Sequence, residues 1–292
     1  MDLRRPIMQR NLQLRSDFNF FTHQFFRQQN FTHVETPLLF KSTPEGAREY
    51  LVPAGEDAPS NYALPQSPQQ FKQMLMASGI ERYYQLARCF RREDLRADRQ
   101  PEFTQLDMEM AFPEGDQEEI MRVIEHYVKE AVKEFAGLTI LEAIPRLTYD
   151  HAIRTYGTDK PDIRYGFELK QIQVTEDSVL ETLNLEQIPE KFRPANDLPS
   201  ISAEDWALIN DQFGTTPAIY AHRRPRKCYT GIIPLGRIRT EAIRRLELDP
   251  SASRLFRDDL VPGKGFTWIT DFPLLRPFQP EPNQLTNRKY ES

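Results

Sequence analysis

The stretch that decides the fold reads FRREDLRADRQPEFTQLDMEM and runs from Phe90 to Met110. Its second half alternates between two kinds of position: Phe103, Gln105, Asp107 and Glu109 on one side, and Thr104, Leu106, Met108 and Met110 on the other. Because successive side chains of a β-strand point to opposite faces, this pattern predicts a strand with one face toward an apolar core. The other face carries a ring, an amide and two carboxylates, and we expect a ligand to bind there.

The preceding segment RYYQLARCF predicts a second strand, and the charged loop 92–100 gives the two strands the spacing of a hairpin. Arg91 ends the first strand and Phe103 begins the second, so antiparallel pairing would bring their side chains together. A planar guanidinium can bind two phosphate oxygens at once, and a neighbouring ring can stack on adenine. Since the sequence contains neither GxxxxGK[ST] nor GxGxxG, nucleotide binding would need another device, and this pair could form a phosphate clamp beside a ring for adenine.

A helix is predicted just before this hairpin, in the segment LPQSPQQFKQMLMASG. Ser67 is the expected N-cap, Pro68 the first helical residue and Gly79 the residue past the end. Gln69 and Lys72 are three residues apart, so they share a face of the helix near its positive end. Lys72 is either exposed to solvent, as most helical lysines are, or part of a ligand site.

The charged residues of the hairpin also allow two interpretations. Asp107 and Glu109 either face water on an exposed sheet or hold an ammonium group or a metal ion. The arginine-rich clusters 88–99 and 223–227 are either solvated surface or local sites for anions. The five histidines show no metal-binding spacing such as HExxH, so no histidine metal site is predicted.

Further elements are predicted on both sides of this region. Apolar residues recur at helical spacing over 11–29, and a strand that stops at Pro37 follows. A second strongly periodic helix starts with a capping box of Asp116 and Glu119 and closes at Gly137. Beyond about residue 150 the sequence is rich in proline and weakly periodic, which indicates an inserted or appended module up to about 265. The segment FTWITDFPLL then predicts a buried strand that returns to a core.

Composition limits the class of protein. The chain has 292 residues, enough for one large domain or two, and its formal net charge of −5 excludes a globally basic nucleic-acid coat. No run of about 18 apolar residues occurs and the start, MDLRRPIMQR, lacks the apolar core of a secretion signal, so neither a membrane span nor export is expected. Cys89 and Cys228 lie far apart in the sequence, which indicates a reducing compartment.

Several segments resemble class II aminoacyl-tRNA synthetases, in the form typical of bacterial-type aspartyl-tRNA synthetases. CFRREDLRADRQPEFTQLDMEM is similar to their second signature motif, and DLRRPIMQRNLQLRS with FTHVETPLLFKSTPEGAREYLV resembles the first motif and the loop that closes over the substrate. The segments LPQSPQQFKQMLMASGIERYYQLARCFR, TYGTDKPDIRYG and FTWITDFPLL match others in the same order. The resemblance implies an α+β fold with an antiparallel β-sheet flanked by helices, and a reduced insertion module.

The resemblance also implies a division of the chain. Residues 1–150 would be the first part of the catalytic core with motifs 1 and 2, and 151–265 a linker and the reduced insertion module. Residues 266–292 would be the return strand of the core and a polar tail. The helix and strand that end at Pro37 resemble the dimer interface of the family.

The same resemblance implies roles in binding the nucleotide and the tRNA. Arg91 would be the catalytic residue, since it would bind the α-phosphate of ATP, and Phe103 would stack on adenine. The nucleotide would also contact Glu93 and Gln105. The acceptor end of the tRNA would contact the loop at Arg92, Arg96 and Arg99.

A second set of implied roles concerns the amino acid. The residues that would surround its ammonium group are Glu45, Ser67, Gln69 and Asp107. Lys72 would face the side-chain carboxylate of aspartate, a charge pairing that favours aspartate over neutral asparagine. The polar face of the hairpin would then be the floor of an aminoacyl-adenylate site.

Some features of the family are not found among the 292 residues. They are the glycine-rich third motif with its arginine for the γ-phosphate, the acidic ligands of Mg²⁺, a second arginine for the aspartate side chain, a histidine pair after TDFPLL, and an anticodon-binding barrel. The resemblance implies ATP and Mg²⁺ as cofactors, with the metal ligands expected outside these residues. We expect an incomplete catalytic domain that is weak or inactive alone: a fragment, a truncated gene model or a shortened paralogue.

The implied function is that of an aspartate–tRNA ligase that acts on aspartate and tRNA(Asp) as a homodimer. One alternative is a non-catalytic paralogue that binds tRNA or a synthetase partner. Another is a ligase for asparagine or a different amino acid, against which Lys72 argues. A reduced insertion on a bacterial-type core predicts an organellar enzyme of the mitochondrial matrix, with the cytoplasm as the alternative.

Overall fold

The computed structural model describes most of the chain, in the ranges 2–42, 48–55, 60–92, 99–111, 117–214, 218–226, 231–249, 251–252 and 265–273. The chain forms two compact units, Met1–Thr139 and Ile140–Ser292. Both units combine helices with small β-sheets, which confirms the predicted α+β class. Within the described residues, no helix is both long enough and apolar enough to cross a membrane.

The first unit is built around the predicted hairpin. Its elements are, in chain order, α1 (Pro6–Gln28), β1 (Thr32–His33), β2 (Leu51–Pro53), β3 (Asn61–Ala63), α2 (Gln69–Ala77), β4 (Arg82–Phe90), β5 (Glu102–Met110) and α3 (Gln117–Ala136). β4 and β5 pair in an antiparallel ladder from Arg82↔Met110 to Phe90↔Glu102. β1 joins the other edge of β4 in parallel, and β2 pairs with β3 in an antiparallel ribbon.

The apolar face of β5 packs on the core of the first unit. Leu106, Met108 and Met110 contact a buried cluster from α1, the turn after it, β4 and α3, which consists of Phe25, Phe26, Phe31, Tyr84, Val123 and Tyr127. Full burial of such a side chain is worth about 1.5–3 kcal/mol, so this face sets the orientation of the strand. The alternation predicted from the sequence is therefore confirmed, and the polar face of β5 is turned away from this core.

The start of α2 differs from the prediction. Ser67 is not its N-cap, because the carbonyl of Pro68 accepts the first helical hydrogen bond, from the Lys72 amide at 2.9 Å, and no side chain caps the helix. The end of the helix is as predicted, since Gly79 follows it in a left-handed conformation with φ +96°. The one-residue shift leaves Lys72 in the first turn.

Other boundaries of the first unit also differ. α1 begins at Pro6 rather than near residue 11, because proline at the first helical position loses no hydrogen bond. The strand after α1 contains only Thr32–His33. The expected capping box cannot be compared because Asp116 lies outside the described residues, while Glu119 forms an ion pair with Arg82.

The second unit contains two separate sheets. Its elements are β6 (Arg146–Thr148), α4 (Tyr149–Tyr156), β7 (Leu169–Val174), β8 (Ser178–Asn184), α5 (Ala203–Phe213), β9 (Ile219–Pro225), α6 (Pro234–Glu247) and β10 (Trp268–Thr270). β7, β8 and β9 form an antiparallel sheet with a core on each face, and β10 pairs with β6 in parallel. The strand predicted in FTWITDFPLL is thus present, paired with the strand that precedes α4.

Two arginines of the second basic cluster are neutralised inside this unit. Arg224 donates two hydrogen bonds to Glu181, at 2.9 and 2.5 Å, and both side chains are buried. Arg223 donates to Asp205 at 2.9 Å. Since their charges are already paired, these two arginines stabilise the sheet rather than form an exposed site for anions.

A buried arginine organises the segment that follows α4. Arg239 of α6 is 1% exposed, and its guanidinium donates to the backbone carbonyls of Asp162, Tyr165 and Phe167 at 2.8, 2.8 and 2.5 Å. The guanidinium carbon also lies 4.9 Å from the centre of the Tyr156 ring. Burial lowers the pKa of Arg239 to about 10, so the side chain is still charged at neutral pH. One side chain therefore holds three backbone carbonyls of the segment 162–167.

Lowering the pH is expected to destabilise the second unit. Burial raises the pKa of Asp162, but the hydrogen bonds it accepts from Arg164 outweigh burial, and its pKa lies below the usual value. A carboxyl with a depressed folded-state pKa stabilises the protein above its unfolded-state pKa of about 3.9, and this contribution is lost as the pH falls further. Both tryptophans of the chain, Trp206 and Trp268, lie in this unit, so urea unfolding followed by tryptophan fluorescence should give a lower midpoint at pH 3 than at pH 7.

The control for this pH dependence is Asp162→Asn, which cannot titrate. The variant should lose less stability between pH 7 and pH 3 than the unchanged chain does, although hydrogen bonds from Arg223 also lower the pKa of Asp205, so some dependence remains. An identical pH dependence in both proteins would show that Asp162 does not contribute.

Candidate active site

The polar face of the hairpin brings Arg91 and Phe103 together. In the ladder Cys89 is directly opposite Phe103, and Arg91 follows two residues later on the same face. The amide of Arg91 donates to the carbonyl of Pro101 at 3.0 Å, which extends the pairing. The guanidinium carbon lies 5.2 Å from the centre of the Phe103 ring, within cation–π distance. Arg91 also donates to the carbonyl of Gln66 at 3.4 Å.

Lys72 forms an ion-pair cluster with the two carboxylates of β5. Its Nζ lies 3.0 Å from Asp107 Oδ1 and 3.1 Å from Glu109 Oε2. The side chains of Lys72 and Asp107 are only 13% and 11% exposed, and that of Glu109 is 34% exposed. The two carboxylates are therefore not freely solvated. Lys72 is not an exposed helical lysine either. α2 lies over the polar face of the hairpin.

This cluster is charged and only partly satisfied. Burial lowers the pKa of Lys72, but the hydrogen bonds and negative charges of Asp107 and Glu109 outweigh burial and leave the pKa raised, so the ammonium persists at neutral pH. Asp107 Oδ1 is buried, and among the described residues its 3.0 Å contact with Lys72 Nζ is the one polar contact it makes. It therefore keeps the capacity to accept a hydrogen bond from a ligand.

A buried thiol orients Gln105. Cys89 is fully buried, and its Sγ lies 3.1 Å from Gln105 Oε1. Burial raises the pKa of Cys89 to about 11, because the nearby positive charge of Arg91 only partly offsets desolvation. The thiol is therefore protonated at neutral pH and donates to the amide oxygen, which leaves the amide nitrogen of Gln105 pointing elsewhere.

Three polar residues at this face, Tyr83, Gln85 and Thr36, were not predicted from the sequence. Gln85 is directly opposite Asp107 in the ladder, and its Oε1 accepts hydrogen bonds from the hydroxyl of Tyr83 at 2.7 Å and from Thr36 Oγ1 at 3.0 Å. The register of the hairpin, applied to RYYQLARCF as well as to the second strand, would have placed Tyr83 and Gln85 on the polar face.

The other predicted residues are spread around this centre or lie outside the described ranges. Ser67 is half-buried just before α2, and Gln69 is exposed at its first position. Arg92 and Arg99 are exposed near the two ends of the loop between β4 and β5. The predicted residues outside the described ranges are Glu45, Glu93 and Arg96.

No metal site is found in the described part of the chain. No group of three or more His, Cys, Asp or Glu side chains in it could hold a metal. The two acidic residues of the polar face, Asp107 and Glu109, already bind the ammonium of Lys72.

The fold and this polar face agree with the relationship found by comparison with known proteins. The chain belongs to the class II tRNA synthetases (D, K and N), whose family model matches residues 1–292.

Within that family, the chain is similar to aspartate–tRNA ligases. It is 38% identical over 328 residues to the mitochondrial aspartate–tRNA ligase of Schizosaccharomyces pombe. The aligned region covers 98% of this chain and 52% of the relative. It is 55% identical over 172 residues to the aspartate–tRNA(Asp/Asn) ligase of Natranaerobius thermophilus and to the aspartate–tRNA ligase of Geobacillus kaustophilus, in each case over 59% of this chain and 29% of the relative. The resemblance to aspartyl-tRNA synthetases is thus confirmed, and the chain spans about half or less of these relatives.

Proposed function

We propose that this chain forms the floor of the aminoacyl-adenylate site of an aspartate–tRNA ligase. The observation that carries the proposal is the arrangement of two pairs on one face of the β4–β5 hairpin. Arg91 lies against Phe103, and Lys72 lies against Asp107. The first pair suits a nucleotide, and the second suits an amino acid with both an ammonium group and a side-chain carboxylate.

In the proposed reaction the α-carboxylate of aspartate attacks the α-phosphorus of ATP, and pyrophosphate leaves. Arg91 would neutralise charge on the α-phosphate while Phe103 stacks on adenine and Gln105, with Glu93, contacts the nucleotide. A hydroxyl of the terminal tRNA ribose would then attack the activated carbonyl and release AMP. Such chemistry depends on positioning and charge neutralisation, so these residues need not include a nucleophile.

The amino acid would be recognised by the groups around Lys72. Asp107 would accept hydrogen bonds from the substrate ammonium, which suits its buried and incompletely bonded Oδ1. Lys72 would face the side-chain carboxylate and so disfavour neutral asparagine. The ammonium would be enclosed further by Glu45, Ser67 and Gln69.

The remaining assignments extend this proposal to partners and location. Arg92, Arg96 and Arg99 would contact the tRNA acceptor end, and the helix–strand region that ends at Pro37 would form a homodimer interface. The division at 150 and 265 into core, reduced insertion and return strand belongs to the same proposal. The similarity to a mitochondrial relative supports the mitochondrial matrix, and the similarity to bacterial relatives supports the cytoplasm as the alternative.

The 292-residue chain is expected to bind the adenylate without catalysing its formation. We expect it to bind a non-hydrolysable aspartyl-adenylate analogue, because both recognition pairs are present. We expect little or no aspartate-dependent ATP–pyrophosphate exchange, because a second phosphate-binding arginine and the Mg²⁺ ligands would each supply several kcal/mol of transition-state stabilisation and are not found in its sequence. Calorimetry and an exchange assay measure the two properties. Exchange at the rate of a complete synthetase would contradict the second expectation, and absence of analogue binding would contradict the proposed function.

The alternative function is a non-catalytic paralogue that binds tRNA or a synthetase partner. A gel shift with tRNA and light scattering would distinguish it. Binding of tRNA without binding of the adenylate analogue would favour the paralogue over the ligase.

A further inference from the structure

Gln85 is a buried polar residue that the proposed mechanism does not use. It is 6% exposed and lies directly opposite Asp107 in the antiparallel ladder, so the two side chains share the polar face. Side chains opposite each other in such a pair have Cβ atoms about 4.5–5.5 Å apart. Gln85 is therefore a cross-strand neighbour of Asp107, which forms an ion pair with Lys72.

The orientation of the Gln85 amide is set by two hydroxyl groups. Its Oε1 accepts hydrogen bonds from Tyr83 and Thr36, at 2.7 and 3.0 Å. Burial raises the pKa of Tyr83 and the negative charges of Asp107 and Glu109 add to the shift, so the phenol is protonated and can donate. The NH₂ group therefore points away from the two hydroxyls.

This NH₂ group has no acceptor among the residues that the structure describes. Among the described residues it makes no hydrogen bond, and the only buried side-chain nitrogen and oxygen atoms without a partner there are Asp107 Oδ1 and His222 Nδ1. The nitrogen of Gln85 is therefore accessible rather than sealed in the core.

We propose that Gln85 donates a hydrogen bond to the side-chain carboxylate of bound aspartate, beside the ammonium of Lys72. The inference rests on the proposed function, which supplies the substrate. Two donors suit a carboxylate, because each of its oxygens can accept. Asparagine offers one acceptor oxygen, and its own NH₂ group would face a second donor. Gln85 would thus add a selection by hydrogen bonding to the charge selection by Lys72.

The test compares two non-hydrolysable analogues, aspartyl-adenylate and asparaginyl-adenylate, by calorimetry on the full 292-residue chain. Gln85→Glu keeps an acceptor for Tyr83 and Thr36 but replaces the NH₂ donor by a carboxylate oxygen. Gln85→Met removes the donor without adding charge. Both variants should bind the aspartyl analogue about 10- to 100-fold more weakly, as expected for the loss of a hydrogen bond to a charged group. The asparaginyl analogue should lose much less, so the ratio of the two affinities falls.

The controls separate this inference from the function on which it rests. Arg88→Gln, on the opposite face of the hairpin, should leave both affinities unchanged. If the unchanged chain binds neither analogue, the proposed function and the role of Gln85 both fail. If it binds the aspartyl analogue and both Gln85 variants keep its affinity ratio, the role of Gln85 alone fails. Should Gln85→Met not fold, because the two hydroxyls lose their acceptor, the result for Gln85→Glu decides.

Discussion

Arg239→Met is expected to lower the free energy of unfolding of the second unit by about 3–5 kcal/mol. The substitution leaves three buried carbonyls without a donor, each at a cost of about 1–3 kcal/mol, and only part of this is offset because a buried charge no longer has to be desolvated. Urea unfolding followed by the fluorescence of Trp206 and Trp268 reports on this unit, and the midpoint should fall with little change in slope. We expect most of the loss to come from the backbone around Asp162.

The matched control is Arg237→Met, two residues earlier on the same helix. Arg237 is exposed, so its replacement should change stability by less than about 0.5 kcal/mol. Arg239→Lys should fall between the two, because an ammonium cannot hold three diverging carbonyls in the way a planar guanidinium does. If both methionine variants unfold at the same urea concentration, the carbonyls released from Arg239 have found other donors or water, and its structural role is minor.

The burial of Arg239 could not be predicted from the sequence. An arginine in the helical segment PLGRIRTEAIRRLE looks like a solvated residue, since burial of this side chain depends on carbonyls 72 to 77 residues away in the chain. No local pattern reports such a contact. The pairing of Arg224 with Glu181, 43 residues apart, could not be predicted for the same reason. The sequence therefore could not decide whether the cluster 223–227 is solvated surface or a site for anions.

The hairpin was predictable because its determinants are local. Alternation along β5 separated the apolar residues from Phe103 and Asp107, and antiparallel pairing across the charged loop 92–100 placed Arg91 beside Phe103. The position of Lys72 could not be derived in this way, because the docking of a helix on a sheet depends on packing between segments distant in sequence. Gln85 escaped notice because β4 is buried on both faces, so that its own alternation is weak.

Arg91→Ala is expected to weaken binding of the aspartyl-adenylate analogue by about 100- to 10,000-fold. The guanidinium would donate two charge-assisted hydrogen bonds to the phosphate position, each worth about 1.5–3 kcal/mol, and alanine supplies neither. Arg91→Lys keeps the charge without the planar fork and should lose about tenfold. Calorimetry gives the affinities, and Arg88→Gln on the opposite face is the control for general effects on the hairpin. An affinity of Arg91→Ala within about threefold of the unchanged chain would exclude this residue from the site.

The contact between Arg91 and Phe103 makes a further test possible. Phe103→Leu should lose about 1–3 kcal/mol of binding energy, because the base no longer stacks on a ring. Since the guanidinium also lies 5.2 Å from the ring centre, each side chain orients the other, and the double variant should lose less than the sum of the two single losses by about 0.5–1 kcal/mol. Strict additivity would mean that the two residues act on separate ligands or separate parts of the surface. A single adenylate held by both would then be the wrong description of this face.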